Sequence, residues 1–257
     1  MERGWGEVFQ KQTMLTKIYS NYETLSAAVA QIMFDTIKQK PTAVICLASG
    51  HTPLLPCQLF VQKANNEHLH ISETTFLGLD EWVGVPPENE GSSHYFLYNT
   101  LFNPLGLQAG QLHVFNARAE NMQEECETMD AVIEHNGGID LMIVGIGING
   151  HIGFNEPGVA FNNFSHVINL DKTTIDVGQK YFSAATTLSK GITIGLQHLM
   201  NTKQVLLIAN GEKKAAIIKK TIEEEVSNKI PATIMQTHLN GIIMLDDAAA
   251  SLINKTN

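Results

Sequence analysis

Residues 139–158 read IDLMIVGIGINGHIGFNEPG: an apolar run that ends in glycines and then presents Asn149, His151, Asn155 and Glu156. Leu141, Met142, Ile143 and Val144 include no polar alternate, which is the pattern of a strand covered on both faces, as in a parallel sheet flanked by helices. Ligands of such sheets bind beyond the carboxyl ends of the strands. The polar groups that follow Val144 are therefore delivered to a binding edge.

Gly145, Gly147 and Gly150 also spell G-x-G-x-x-G, and Asp171 closes a later apolar stretch about 20 residues on, as a dinucleotide fingerprint requires. That fingerprint needs a helix directly after the glycines, because the helix N-terminus holds the pyrophosphate. Residues 151–164 carry Gly153, Pro157, Gly158, Asn162 and Asn163 without a 3.6-residue apolar period. No helix is expected there, and a nicotinamide cofactor is set aside.

In residues 23–39, Leu25, Val29, Ile32, Met33 and Ile37 lie near helical spacing, and the segment stops before Pro41. Further helices are expected over 53–66, 92–102, 119–136 and 212–225, and strands over 43–47, 75–79, 112–115, 141–144, 166–170, 204–209 and 242–245. This alternation predicts an α/β fold: a doubly wound, mainly parallel sheet with helices on both faces and right-handed crossovers. No repeat, low-complexity segment or linker divides the chain, so a single domain over 1–257 is expected, loosely ordered at about 1–14 and 252–257.

A net charge of −9 and a pI near 5.5 argue against a nucleic-acid surface, while local basic groups remain free to hold a small anion. Apolar runs are only several residues long, and Glu2, Arg3, Gly4 and Gly6 open the chain without a signal-peptide core. The expectation is a soluble, cytoplasmic protein with no membrane partner. Cys46, Cys57 and Cys126 are odd in number, scattered and outside any C-x-x-C pair, which fits buried thiols in a reducing compartment and gives no zinc site. No heptad or apolar helix face marks an interface, so a homo-oligomer stays open.

Three strand ends carry candidate chemistry. After the strand over 43–47 come Ser49, Gly50, His51, Thr52 and Pro53; with Thr52 as N-cap and Pro53 as first helical residue, loop amides and helix dipole form an anion cradle or simply a well-capped turn. After the strand over 75–79 come Asp80, Glu81 and Trp82. One carboxylate there reads as a partly desolvated base next to an indole, or else Asp80 caps a helix and Glu81 is solvated. In the opening segment, His151 and Glu156 suit a carboxylate that holds an imidazole in one tautomer. Their spacing is not that of H-E-x-x-H, and no serine sits in a G-x-S-x-G elbow. His94, His113 and His198 are treated as structural or surface residues.

The segments LASGHTP (47–53), LDEWVG (79–84), GIGINGHIGFNEPG (145–158) and NGEKKA (210–215) together resemble the glucosamine-6-phosphate deaminase (isomerase) family over essentially the whole domain. FNEP after the Gly-His turn separates this pattern from the related 6-phosphogluconolactonases. DEWV, KGITIGL (190–196) and IPATIMQTH (230–238) look closer to the galactosamine-6-phosphate branch. The resemblance implies a Rossmann-like fold and a cofactor-free, metal-free deamination that converts galactosamine 6-phosphate to a ketohexose phosphate, tagatose 6-phosphate, plus ammonia. Glucosamine 6-phosphate giving fructose 6-phosphate is the alternative. It further implies His151 in ring opening, Glu156 and Asn149 orienting it, and Asp80 moving the C2 proton to C1. Ser49, Gly50, His51 and Thr52 would hold the phosphate, with charge from Lys213.

This sequence also departs from the family pattern. Asn149 stands where many members have Asp, and Lys180 where an arginine commonly helps bind phosphate, which replaces a planar fork with a point charge. Residues 160–166 lack the arginine and lysine of allosteric members, so activation by an N-acetylated sugar phosphate is not expected. A noncatalytic sugar-phosphate sensor is the alternative of another class, and a lactonase is the third reading.

Overall fold

Ten strands and eight α-helices follow one another in residues 15–253, which the computed structural model describes. The strands are β1 (Leu15–Tyr19), β2 (Val44–Leu47), β3 (Thr75–Gly78), β4 (Asp80–Trp82), β5 (Leu112–His113), β6 (Leu141–Val144), β7 (His166–Asn169), β8 (Lys190–Thr193), β9 (Gln204–Ala209) and β10 (Gly241–Asp246). The helices are α1 (Tyr22–Gln39), α2 (His51–Asn66), α3 (Ser93–Leu97), α4 (Asn103–Leu105), α5 (Met122–His135), α6 (Lys172–Gly178), α7 (Leu196–Asn201) and α8 (Ala215–Glu223). A π-helical turn, Tyr98–Phe102, joins α3 to α4.

Seven strands form a parallel sheet in the order β1-β10-β9-β6-β2-β3-β5. Its apolar strands split by period two. Cys46, Met142, Val144, Leu207 and Leu245 face one core, lined by α5, α7 and α8, while Ile45, Leu47, Ile143, Leu206 and Met244 face the other, lined by α1, α2 and the Leu97–Phe102 turns. Each such fully buried side chain contributes roughly 1.5–3 kcal/mol, so a one-residue slip in register would cost far more than any turn could recover. The expected helices over 23–39 and 119–136 present the buried faces Leu25, Val29, Met33, Ile37 and Cys126, Met129, Ile133. All three cysteines are buried and unpaired.

Strand order reverses between β2 and β6, so the loops after these two strands splay apart and leave a crevice at the switch point.

Several features differ from the sequence expectation, among them the unforeseen strands β4 and β8. The run over 166–170 is β7, yet it lies outside the parallel sheet: it pairs antiparallel with β8, which pairs antiparallel with β4. This second sheet has its own small core of Trp82, Phe154, Leu170, Phe182 and Leu188. The helix expected from 53 begins two residues earlier. Gly50, at φ +112°, is the N-cap and His51 the first helical residue, so Thr52 is not the cap and Pro53 is not the first residue. The N-terminal edge strand β1, docked in parallel on β10, was not foreseen. Residues 1–14 and 254–257, expected to be loose, lie outside the described residues; Ile253 packs against the core.

Candidate active site

β3 ends at Gly78, and the chain crosses to the second sheet within two residues. Leu79 bridges both sheets: its N–H donates to Leu47 O at 2.9 Å and its carbonyl accepts from Ile194 N at 2.9 Å. The next residues alternate across β4. Asp80 turns into the crevice, and Glu81 turns away and is 3% exposed. The capping assignment is therefore the reverse of the one weighed for this pair. Glu81 accepts the backbone N–H groups of Trp82, Ser93 and His94 at 2.8, 3.0 and 2.7 Å, which satisfies the start of α3. Burial still pushes the Glu81 carboxyl up to about 7.

Asp80 accepts the Ser93 hydroxyl at 3.2 Å. Burial pushes its carboxyl up to about 6, against the pull of that hydrogen bond and of the charge on His151. This is the proton affinity a carboxylate base needs near neutral pH.

His151 lies across the crevice in the loop after β6. Its Nδ1 sits 3.0 Å from Thr174 Oγ1 and 3.4 Å from Glu156 Oε2. Asn149 Nδ2 donates to the same Glu156 oxygen at 3.0 Å, while Asn149 Oδ1 accepts from the His151 N–H at 3.2 Å. Burial would raise the Glu156 carboxyl, but the hydrogen bond and charge of His151, with Thr174 and Asn149, hold it below the ordinary carboxylate range. Glu156 is thus an ionised anchor for the ring. Asn155 is buried and donates to Ile152 O and Ile194 O, each at 2.9 Å, which ties this loop to the end of β8.

The glycine fingerprint serves the imidazole. A Cβ on Gly147 would stand 2.4 Å from His151 Cε1, and Gly150 adopts φ +89°. No helix follows them, and Asp171 caps α6 by accepting from Thr173 N at 2.8 Å.

The third wall is basic. Gly50 faces the Tyr181 hydroxyl, and the His51 ring lies 5.3 Å from the Tyr181 ring. Burial and the charge of Lys180 lower the His51 pKa; burial and the charge of Lys213 lower that of Lys180. Lys213 itself is exposed. Its neighbour Lys214 points inward, donates to the Ile146 carbonyl, and is pushed down to about 8 by burial and by Lys180. Lys213, expected at the phosphate, is thus the outward lysine of the pair. Tyr181 is raised by burial and then by the charge of Asp80, and Lys180 Nζ lies 4.9 Å from its ring centre, so the phenol stands between Asp80 and the basic wall. Thr52 Oγ1 donates to Asn210 Oδ1 at 2.6 Å, and Ser49 Oγ lies 2.8 Å from Ser93 Oγ.

The structure therefore brings Asp80, Asn149, His151, Glu156, Ser49, Gly50, His51, Thr52 and Lys180 to one crevice. It adds Ser93, Thr174, Tyr181 and Lys214. No short motif marks the first three of these; for Lys214, the 3₁₀ turn Glu212–Lys214 sets which lysine faces inward. His198, treated as structural, pairs with Asp130 at 2.7 Å away from this cluster. Among the described residues no helix is long and apolar enough to cross a membrane.

Known proteins resemble this chain over most of its length. The family model described as glucosamine-6-phosphate isomerases/6-phosphogluconolactonase matches residues 20–243. A glucosamine-6-phosphate deaminase of Thermoanaerobacter sp. (strain X514) is 39% identical over 234 residues, covering 91% of this chain and 92% of that protein. One from Clostridium perfringens (strain ATCC 13124) is 38% identical, covering 92% and 98%. The solved structure of a monomeric glucosamine-6-phosphate deaminase superposes with a TM-score of 0.90 at 32% identity, covering 93% of this chain and all of the other. A 6-phosphogluconolactonase from Trypanosoma brucei, at 16% identity, covers 94% and 99% with a TM-score of 0.73 and shares the fold. With a family model and full-length relatives meeting on the same residues, this chain belongs to the glucosamine-6-phosphate isomerase/6-phosphogluconolactonase family.

Proposed function

We propose that the protein is an amino-sugar 6-phosphate deaminase acting on glucosamine 6-phosphate, to give fructose 6-phosphate and ammonia. The observation that carries this reading is Asp80, a carboxylate pushed to about 6, set opposite the His151–Glu156 pair with a basic wall beside both. The galactosamine preference expected from DEWV and KGITIGL gives way, because the relatives at 39% and 38% identity bear the glucosamine name.

The phosphate sits against the Ser49–Thr52 loop amides and the N-terminus of α2, with Lys214 and Lys180 supplying charge and Lys213 acting from the rim. The opposite end of the substrate then reaches Asp80 and His151. His151, oriented by Glu156 and steadied through Asn149, transfers a proton at the ring oxygen so that the pyranose opens. Asp80 removes the C2 proton to form an enol amine and returns it to C1. Water adds to the resulting imine carbon, the C–N bond breaks, and ammonia leaves. The substrate's own carbonyl receives the electron pair, so this sequence of steps calls for no cofactor. Intact Asp80, His151 and Glu156 support a catalytic reading over a noncatalytic sensor, and Asn149 still donates to Glu156.

Buried free thiols support a cytoplasmic location, and the monomeric relative supports a single chain as the working unit over a homo-oligomer. The test is ammonia release from glucosamine 6-phosphate and galactosamine 6-phosphate in parallel. A higher kcat/KM for the gluco epimer is expected; preference for the galacto epimer would reverse the substrate assignment, and tight binding of both without release would establish the sensor.

A further inference from the structure

Ser93 meets three partners at once. Its N–H donates to Glu81 Oε1 at 3.0 Å, its hydroxyl donates to Asp80 Oδ1 at 3.2 Å, and its Oγ lies 2.8 Å from Ser49 Oγ. A serine hydroxyl has one proton to give. With that proton on Asp80, the 2.8 Å contact is completed by Ser49 donating to Ser93, and the chain of donation runs from Ser49 through Ser93 to Asp80. Glu81, buried behind β4, fixes the Ser93 end of this chain by holding the first N–H groups of α3. The hydroxyl is thus positioned from the core side.

Each donor in a hydrogen-bonded chain polarises the next, so a bond onto Ser93 strengthens the bond that Ser93 makes. An anion oxygen in the loop would redirect the Ser49 hydroxyl to itself. We propose that Ser93 is a positioning residue that aims Asp80 and couples its basicity to occupancy of the Ser49 loop: when the loop fills, Ser93 loses its donor and Asp80 becomes the stronger base. The inference rests on the deaminase reading only in taking Asp80 as the group that accepts the proton. Other titratable groups within electrostatic reach of Asp80 are His151 from the loop after β6, Tyr181 beyond α6, Cys46 from β2 and Glu81 on its own strand. None of these lies between Ser49 and Ser93.

The experiment titrates the Asp80 carboxyl carbon by NMR in the wild type, Ser93→Ala, Ser93→Thr and Ser49→Ala, each with and without inorganic phosphate, beside pH profiles of kcat. Loss of the hydroxyl should move the Asp80 midpoint of Ser93→Ala up by about one pH unit and lower kcat roughly tenfold with little change in KM. Ser93→Thr should restore both. Phosphate charge raises the midpoint in every variant, but the wild type should gain more than Ser93→Ala. Ser49→Ala, which leaves α3 intact, should reproduce the upward move without phosphate. An unmoved midpoint in Ser93→Ala, or equal phosphate responses in wild type and Ser93→Ala, overturns the proposal. The midpoints need no turnover, so failure of the wild type to release ammonia would sink the deaminase reading and leave this one standing on the titrations.

Discussion

The two ends of the parallel sheet handle charge in opposite ways. At the amino ends of the strands, Asp140 precedes β6 and receives Lys40 Nζ at 2.8 Å, Lys203 Nζ at 2.7 Å and the Val44 N–H at 2.8 Å. Burial alone would raise that carboxyl, yet these partners hold it below its ordinary range, and Lys203 is raised in return. At the carboxyl ends, Asp80 is pushed up to about 6 and Lys214 down to about 8. An aspartate and lysines occur at both ends; they meet at one and are kept apart at the other. The first end is finished electrostatically, and the second holds groups that a ligand with both an anion and an acidic proton would complete.

The sharpest way to break the comparison is to neutralise each aspartate. Asp80→Asn should lower kcat about a thousandfold and abolish solvent exchange at C2 while phosphate binding persists. Asp140→Asn should leave kcat per folded molecule unchanged and cost about 1–3 kcal/mol in urea unfolding, discounted because both lysines reach solvent. Activity loss in Asp140→Asn with wild-type stability would erase the distinction.

The lysines give the next largest effect. Lys214→Ala should raise KM by roughly ten- to a hundredfold with a smaller effect on kcat. Lys203→Ala should leave both constants as they are. A greater penalty in Lys213→Ala than in Lys214→Ala would restore the outward lysine to the phosphate.

Smallest is the pH dependence of stability, where the two aspartates have opposite signs. Asp140 has a depressed folded pKa, so its contribution is present above its unfolded value and is lost as pH falls through the folded one. Asp80 has a raised folded pKa, so its contribution is fully present below the unfolded value near 3.8 and disappears as pH rises through about 6. Asp140→Asn should therefore flatten the acid loss of stability, and Asp80→Asn should raise the urea midpoint at pH 7. A lower midpoint for Asp80→Asn would mean its carboxylate is a structural ion.

What the chain disclosed in advance follows from where its information is local. Strand runs such as 141–144 and 204–209 are apolar throughout because both faces are covered, and the loop that follows β6 carries Asn149, His151 and Glu156 in one continuous segment. β4 and β8 were missed because they are three and four residues long and their pairing joins residues more than 100 apart. Glu81 misled for a different reason: a carboxylate satisfied by three backbone N–H groups is buried, yet its type signals solvent. Ser93 and Thr174 reach the crevice from separate helices, so no spacing within one segment could announce them. Lys213 and Lys214 differ only in the phase of a short turn.

The interleaving of the second sheet has a consequence for how the molecule comes into being. Asp80 is held on one side by β8, and β7 and β8 are reached only after β6 has been made. A chain emerging from the ribosome can lay down β2, β3 and the helix between them while Asp80 still hangs in water. Not until residue 193 has been added can the strand carrying Asp80 acquire its antiparallel neighbour. Contacts of such long sequence separation form late and slowly. An unfinished chain that stops before this strand also lacks β9 and β10, so it keeps only the β6-β2-β3-β5 part of the sheet and stays silent toward substrate, which delays reactivity until most of the polypeptide is made.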